Sequence, residues 1–267
     1  MALLETADLT VTFGGLRAND SVRIVIEPGS FVGLIGPNGA GKTTFIDAIT
    51  GYVPSTGAVV FDGEDIGRLA AHQRAAKGLV RTFQSLELFE DLTVEDNLLI
   101  PAQPTRWYTP LLDALHLHRM TAETRDRIDW ALNTVGLPHY RDRLPTDLPH
   151  GQRKLIGVAR ALTARPKLVL LDEPAAGLDT AESKILGVHL RSLLDEGISV
   201  FMIDHDMGLV LSVCDYIYVL DFGRIIAEGT PAQIRQDPEV ILAYLGESAG
   251  EAQAVAAEAT GTPVVEP

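Results

Sequence analysis

Gly36-Pro37-Asn38-Gly39-Ala40-Gly41-Lys42-Thr43 decides how the rest of this chain is read. It fills every required position of G-x-x-x-x-G-K-[ST], a loop that wraps backbone N–H groups around phosphate. Its glycines permit the tight curl that turns those groups inward. Lys42 brings positive charge for β- and γ-phosphates, Thr43 a hydroxyl for Mg²⁺, and Thr44 continues the binding stretch. Phe31-Val-Gly-Leu-Ile35 reads as a short apolar strand, and Lys42–Thr50 as a helix stopped by Gly51. A strand, a glycine loop and a helix N-terminus together make an anion site. A chance glycine-rich turn would need neither flank.

A second stretch narrows the chemistry. Leu168-Val-Leu-Leu-Asp172-Glu173-Pro174 is a hydrophobic strand that delivers two acids at its C-terminal end, the end where ligands bind in a parallel sheet. Asp172 is the candidate Mg²⁺ carboxylate, directly or through water. Glu173 is placed to polarise an attacking water as general base. The plain alternative, a strand followed by a solvated acidic turn, loses weight beside the phosphate loop.

Working outward, strands are expected at Leu9–Phe13, Val22–Ile26, Ala58–Phe61 and Gly78–Phe83. The signal then becomes helical. Val94–Ile100 follows Thr93 as a possible N-cap, Pro101, Pro104 and Pro110 interrupt, Thr124–Val135 runs to Gly136, and Gly151–Ala164 ends before Pro166. Strands return at Leu168–Leu171, a continuous apolar run of the kind a buried parallel strand needs, and at Ile198–Ile203, a second buried strand. Helices are expected at Ala181–Asp195 and Met207–Cys214, a hairpin around Asp221-Phe-Gly-Arg224, and one or two short helices in Pro231–Leu245. This alternation predicts an α/β core with a parallel sheet. Core segments are expected at about 1–85 and 159–246, around an inserted helical block at about 86–158. The aromatic-free segment 247–267 reads as a disordered tail.

Composition sets limits. The 267 residues suffice for a core plus a subdomain. A formal net charge of −14 argues against a nucleic-acid surface, which needs a basic stripe. The lone cysteine, Cys214, forbids an internal disulfide, suits a reducing cytoplasm, and reads as a buried thiol. No apolar run approaches the roughly 18 residues of a membrane span, and Met1-Ala-Leu-Leu-Glu-Thr has no secretory pattern. A soluble protein is expected, reaching a membrane through a partner. The histidines His72, His116, His118, His139, His150 and His189 show no metal spacing. Trp107 and Tyr108 read as subdomain core, with a permease contact as the sharper alternative.

The order phosphate loop, Gln84, Leu148-Pro149-His150-Gly151-Gln152, apolar-Asp172-Glu173 and His205 after a strand resembles the ATP-binding cassette (ABC) ATPases, from about Leu3 to Gly246. That resemblance implies a P-loop NTPase (RecA-like) core with an ABC antiparallel β subdomain and an inserted α-helical subdomain. It implies ATP and Mg²⁺ as cofactors, and assigns roles residue by residue. Phe13 looks like the aromatic that stacks on adenine. Gln84 resembles the glutamine that senses Mg²⁺ and the attacking water. Gly151 and Gln152 resemble the signature that covers the γ-phosphate of ATP on a second ATPase subunit. Ala175-Ala-Gly-Leu-Asp179 resembles the loop that meets the opposite subunit, and His205 the switch histidine on the γ-phosphate. Pro149 and His150 depart from the usual Leu-Ser-Gly-Gly-Gln, which predicts a weaker γ-phosphate contact and an unequal pair of ATPases.

Finer resemblance points to importers. Phe13-Gly-Gly-Leu16, Arg81-Thr-Phe-Gln84, Glu95-Asp-Asn97, His205-Asp-Met207, Ala227-Glu-Gly-Thr-Pro231 and Ala243-Tyr-Leu-Gly-Glu247 are similar to the branched-chain amino acid transport ATPases, G-component type. Implied partners are integral-membrane permease subunits, a second ABC ATPase subunit (a heterodimer, with a homodimer as the alternative) and, indirectly, an extracytoplasmic solute-binding protein, with the chain on the cytoplasmic face of the membrane and no nucleic acid bound. Uptake of urea or short amides, and a soluble ABC-type ATPase working on DNA or ribosomes, remain the alternatives. A non-hydrolysing regulatory subunit would be expected to lack Glu173 or His205, and both are present.

Overall fold

The structure, a computed structural model, describes residues 1–82, 88–102 and 121–245. Gln84, Trp107, Tyr108, His116, His118 and the 247–267 tail lie outside the described residues. The chain forms two compact units, Met1–Gln84 with Lys167–Pro267, and Ser85–Pro166.

The first unit contains two sheets. One is antiparallel, in the order β2 (Leu16–Val22), β1 (Leu4–Phe13), β5 (Thr56–Phe61), β6 (Glu64–Asp65), with β3 (Val25–Ile26) also pairing β1. The expected single strand over Val22–Ile26 is therefore split. Val22 ends β2 and Val25 begins β3, because Thr6 bonds the chain between them. Its hydroxyl accepts from Ile24 N at 2.9 Å and donates to Val22 O at 3.3 Å. The polar run Leu16–Val22 carries no apolar period, yet it pairs with β1 through Phe13↔Leu16 and Val11↔Asn19.

The second sheet runs β11 (Arg224–Gly229), β10 (Tyr216–Asp221), β4 (Phe31–Ile35), β9 (Ser199–Ile203), β8 (Leu168–Asp172), β7 (Leu79–Arg81). It is parallel from β10 through β7, and the β10–β11 hairpin is antiparallel. Every residue of β4, β8 and β9 is buried, as their unbroken apolar runs require. Helix α1 (Lys42–Thr50) lays Phe45, Ile46 and Ile49 into this core, with the Phe45 and Phe201 rings 6.0 Å apart. Its boundaries are those read from the sequence, and Gly51 closes it in the left-handed conformation. Helix α2 (Ala71–Ala76) has no counterpart in the sequence reading. Burial pushes the Cys214 thiol far up, so it is an inert packing group.

In the second unit Thr93 begins α3 (Val94–Ala102) by accepting from Asp96 N at 3.1 Å, as expected of an N-cap. The helix passes Pro101, where an end was expected. Pro101 stands in the last turn, so its missing N–H removes a single helical bond. Asn97 is fully buried and satisfied: its amide donates to Phe89 O, Leu92 O and Thr93 O, and its oxygen accepts from Phe89 N. Thr121 caps α4 (Ala122–Thr134), two residues before the expected start. Helix α5 (His150–Leu162) begins with Pro149 as its N-cap and buries Leu155, Val158, Ala159 and Leu162.

Helices α6 (Thr180–Ser192), α7 (Met207–Val213), α8 (Pro231–Gln236) and α9 (Pro238–Leu245) complete the described chain.

Candidate functional site

The phosphate loop sits between β4 and α1, so the buried strand aims it and the helix presents its free N–H groups. Gly36 has φ +150°, and a Cβ there would stand 1.9 Å from Leu220 O. Gly41 has φ +104°, and a Cβ there would stand 2.3 Å from Ala18 O. Only glycine fits either place, so the loop curls against β10 on one side and β2 on the other. Asn19 of β2 reinforces the second contact, its amide donating to Gly41 O at 3.2 Å. Gly223 N, in the β10–β11 turn, donates to Ala40 O at 2.9 Å. Inside this frame the buried Lys42 ammonium donates to Gly36 O at 2.6 Å and Pro37 O at 2.8 Å. The loop is already wrapped around its own cation.

The sheet brings two further groups to the same edge. In register, Leu34 lies beside Ile203, and Ile203 beside Asp172. The C-terminal ends of β4, β9 and β8 are therefore neighbours; Asp204-His205 follow directly on β9, and Asp172 ends β8 with Glu173 next to it. Asp172 is almost wholly buried. Its Oδ2 pairs with Arg81 Nη2 at 2.7 Å, and Arg81 Nη1 pairs with Asp47 of α1. Burial pushes the Asp172 carboxyl up, against the pull of Arg81. Its Oδ1 is buried without a hydrogen-bond partner.

That orphaned oxygen fits a hard cation. Mg²⁺ is such a cation: it takes one or two protein oxygens and completes its shell with phosphate and water. Asp172 and the exposed Thr43 are the residues that would hold it.

Glu173 has φ +49°, uncommon for a residue with a side chain. Its N–H donates to Ile203 O at 2.8 Å, and two residues on, Ala175 N donates to Asp204 Oδ2 at 2.9 Å. Asp204 is fully buried, and burial pushes its carboxyl up. Its other oxygen accepts from Asp206 N at 2.9 Å and lies 3.7 Å from His205 Nδ1, whose side chain is more than half exposed. Asp179 caps α6, accepting from Ala181 N and Glu182 N, both at 2.8 Å.

Phe13 ends β1 and is half-exposed beside the Gly14-Gly15 turn. It connects to the loop through its pairing with β2, which carries Asn19. In the second unit Pro149 caps α5 without a side-chain bond. Gly151 and Gln152 fall in the first turn of that helix, and Gln152 Oε1 is buried with no hydrogen-bond partner. The sequence assigns no role to Arg81, which it names only within a resemblance motif, and does not single out Asp47, Asn19 or Asp204. A charged or polar residue closing an apolar strand, as Arg81 and Asp204 do, is the signal that marks two of them.

Comparison with known proteins places the chain in a family. The family profile described as "ABC transporter" matches residues 20–176, and one described as "Branched-chain amino acid ATP-binding cassette transporter" matches residues 224–250. The chain is 41% identical over 252 residues to the high-affinity branched-chain amino acid transport ATP-binding protein BraF of Pseudomonas aeruginosa, and 39% identical over 251 residues to LivG of Escherichia coli. Each alignment covers 92% of this chain and 98% of the relative. The lipopolysaccharide export ATP-binding protein LptB of Escherichia coli is 37% identical over 249 residues, with the same coverage. Among solved structures, the ADP conformation of an ATP-binding cassette of an ABC transporter superposes with a TM-score of 0.83 at 33% identity, covering 92% of this chain and all of that one. The chain belongs to the ABC transporter family of ATP-binding subunits. It is an ATPase of that class, with the P-loop α/β fold expected from its sequence. Such subunits work with membrane permeases, and no helix among the described residues is long and apolar enough to cross a membrane.

Proposed function

We propose that this chain hydrolyses ATP at the edge formed by β4, β8 and β9 to drive uptake of branched-chain amino acids through a permease. The observation that supports the site is the adjacency of those three strand ends, since the segments carrying Lys42, Asp172, Glu173 and His205 follow from them. Lys42 gives up the carbonyls of Gly36 and Pro37 for the β- and γ-phosphates, while the loop N–H groups take the remaining phosphate oxygens. Phe13 stacks on adenine. Glu173 orients water on the γ-phosphorus and accepts its proton as the new P–O bond forms and the bond to the ADP oxygen breaks. His205 donates to the γ-phosphate. Thr43, Gln84 and Asp172 would hold Mg²⁺, which would supply charge neutralisation to the phosphates.

Gly151 and Gln152 cover the γ-phosphate bound to a second ATPase, whose own signature covers the ATP held here, with Asp179 at the same junction. Helix-N-terminal N–H groups suit an anion, and hydrolysis removes the anion that joins the faces. The departure at Pro149 and His150 favours pairing with a different ATPase that carries a full signature, with a homodimer as the alternative, on the cytoplasmic face of the membrane beside the permease subunits. Uptake, with delivery by a solute-binding protein, is favoured over export by the branched-chain profile match across residues 224–250.

Steady-state ATP hydrolysis of the wild type against Lys42→Ala and Glu173→Gln tests the site, and equal rates in all three would overturn it. Affinity purification from membranes is expected to recover two permease subunits and a related ATPase; recovery with ribosomes or DNA would reverse the reading. Loss of labelled leucine uptake on deletion of the chain supports the solute, and loss of urea uptake instead would reassign it.

A further inference from the structure

The acid that precedes His205 has no role in the chemistry above, yet it is wholly buried and both its oxygens are used. Burying a carboxylate is costly unless its hydrogen bonds are made. The bonds Asp204 accepts are both backbone donors, one from each of two catalytic loops. Ala175 lies two residues beyond Glu173, and Asp206 one residue beyond His205. We propose that Asp204 is a positioning residue: its carboxylate ties the loop after β8 to the loop after β9, and so fixes Glu173 and His205 relative to each other.

The need for such a tie is visible in the backbone. Glu173 is held at φ +49°, a conformation that persists in a non-glycine residue only when its surroundings enforce it. On its N-terminal side the restraint is Glu173 N to Ile203 O. On its C-terminal side Pro174 has no N–H to offer, so the next donor is Ala175 N, and Asp204 Oδ2 is its acceptor. On the His205 side, Oδ1 accepts from Asp206 N, and Asp206 in turn caps α7 by accepting from Leu209 N at 3.0 Å. One carboxylate thus connects the general-base loop, the histidine loop and the start of α7. Asparagine cannot replace it: one of its terminal atoms is an amide nitrogen, which would face a backbone N–H where an oxygen now accepts.

This inference rests on the proposed roles of Glu173 and His205, and its test separates the two. The tagged full chain, with the subunits that co-purify from membranes, is assayed as wild type, Asp204→Asn, Asp204→Ala and Glu173→Gln. Asp204→Asn is expected to lower kcat about tenfold or more with the KM for ATP near wild type and the protein still folded, because ATP is held by the phosphate loop and not by this bridge. Asp204→Ala should lower kcat equally while also lowering the melting temperature. A folded Asp204→Asn with kcat within about twofold of wild type, or a kcat loss matched by a proportional loss of ATP affinity, overturns the inference. Unchanged turnover in Glu173→Gln instead overturns the reading of the site itself. Hydrogen exchange on the wild-type protein needs no variant: the Ala175 and Asp206 amides should be strongly protected, and free exchange at either would show that no bridge exists.

Discussion

Nη2 of Arg81 lies 2.7 Å from Oδ2 of Asp172, and the other arm of the same guanidinium pairs with Asp47 on α1. One buried cation therefore joins the strand that carries the acidic pair to the helix that carries the phosphate loop. Removing it leaves Asp172 buried without its counter-charge and Asp47 without its partner. Arg81→Ala should cost about 3–5 kcal/mol at neutral pH, the range for breaking a buried ion pair by truncating one side. Arg81→Lys should cost less, since an ammonium can still serve one carboxylate but lacks the fork that reaches both. Urea unfolding of both variants checks the order, and lowering the pH should narrow the gap to wild type as the stranded Asp172 carboxyl, already pushed up by burial, protonates.

The glycines at 36 and 41 are fixed by contacts with backbone atoms, which have little room to move. Gly36→Ala would drive a methyl into Leu220 O and Gly41→Ala one into Ala18 O, each at a positive φ. Both variants should lose ATP binding by about 100-fold or more, because the loop must open to admit the methyl and its N–H groups no longer converge. Binding of a fluorescent ATP analogue, read beside circular dichroism, separates this local damage from unfolding. Gly157, where an added Cβ meets nothing within 4 Å, is the control.

What the sequence made legible follows from where each element gets its stability. Helix α1 was readable to the residue because glycine bounds it on both sides, and β4, β8 and β9 because burial on both faces demands unbroken apolar runs. Strand β2 was hidden because Asn19 and Asp20 tie it to distant partners, Gly41 O for Asn19 and Arg224 for Asp20. Helix α2 was hidden for the same reason. Arg74 holds it by donating to Ala48 O, Ile49 O, Gly67 O and Leu69 O, contacts that no local pattern announces. At the site, motif spacing marked the loop and the acids, whereas Arg81 and Asp204 act on partners brought near only by strand order.

Asp204 also predicts a pH dependence. Burial raises its folded carboxyl above the ordinary value of 3.8, so the native state binds this proton more tightly than the unfolded chain. Its contribution to stability is therefore full below 3.8 and is lost as pH rises through the raised folded value. Asp204→Asn removes that titration. Measured by urea unfolding from pH 4 to pH 7, the wild type should lose stability relative to Asp204→Asn as pH rises, whatever the constant offset between them. Parallel profiles would show that Asp204 does not titrate differently in the two states.

Pro149 sits at the N-cap of α5 with φ −53° and offers the helix no side-chain acceptor. Serine there would accept from an exposed N–H of the first turn, so Pro149→Ser should stabilise the protein by about 1 kcal/mol. The same hydroxyl would restore a donor toward a γ-phosphate presented by another ATPase. In the hydrolysis-impaired Glu173→Gln background the chain alone should remain largely monomeric with ATP, and Pro149→Ser with His150→Gly should shift it toward a homodimer. Light scattering with and without ATP reads the shift. A stable ATP-bound homodimer of Glu173→Gln with Pro149 and His150 intact would remove the reason for an unequal pair, since the departure would then cost the junction nothing.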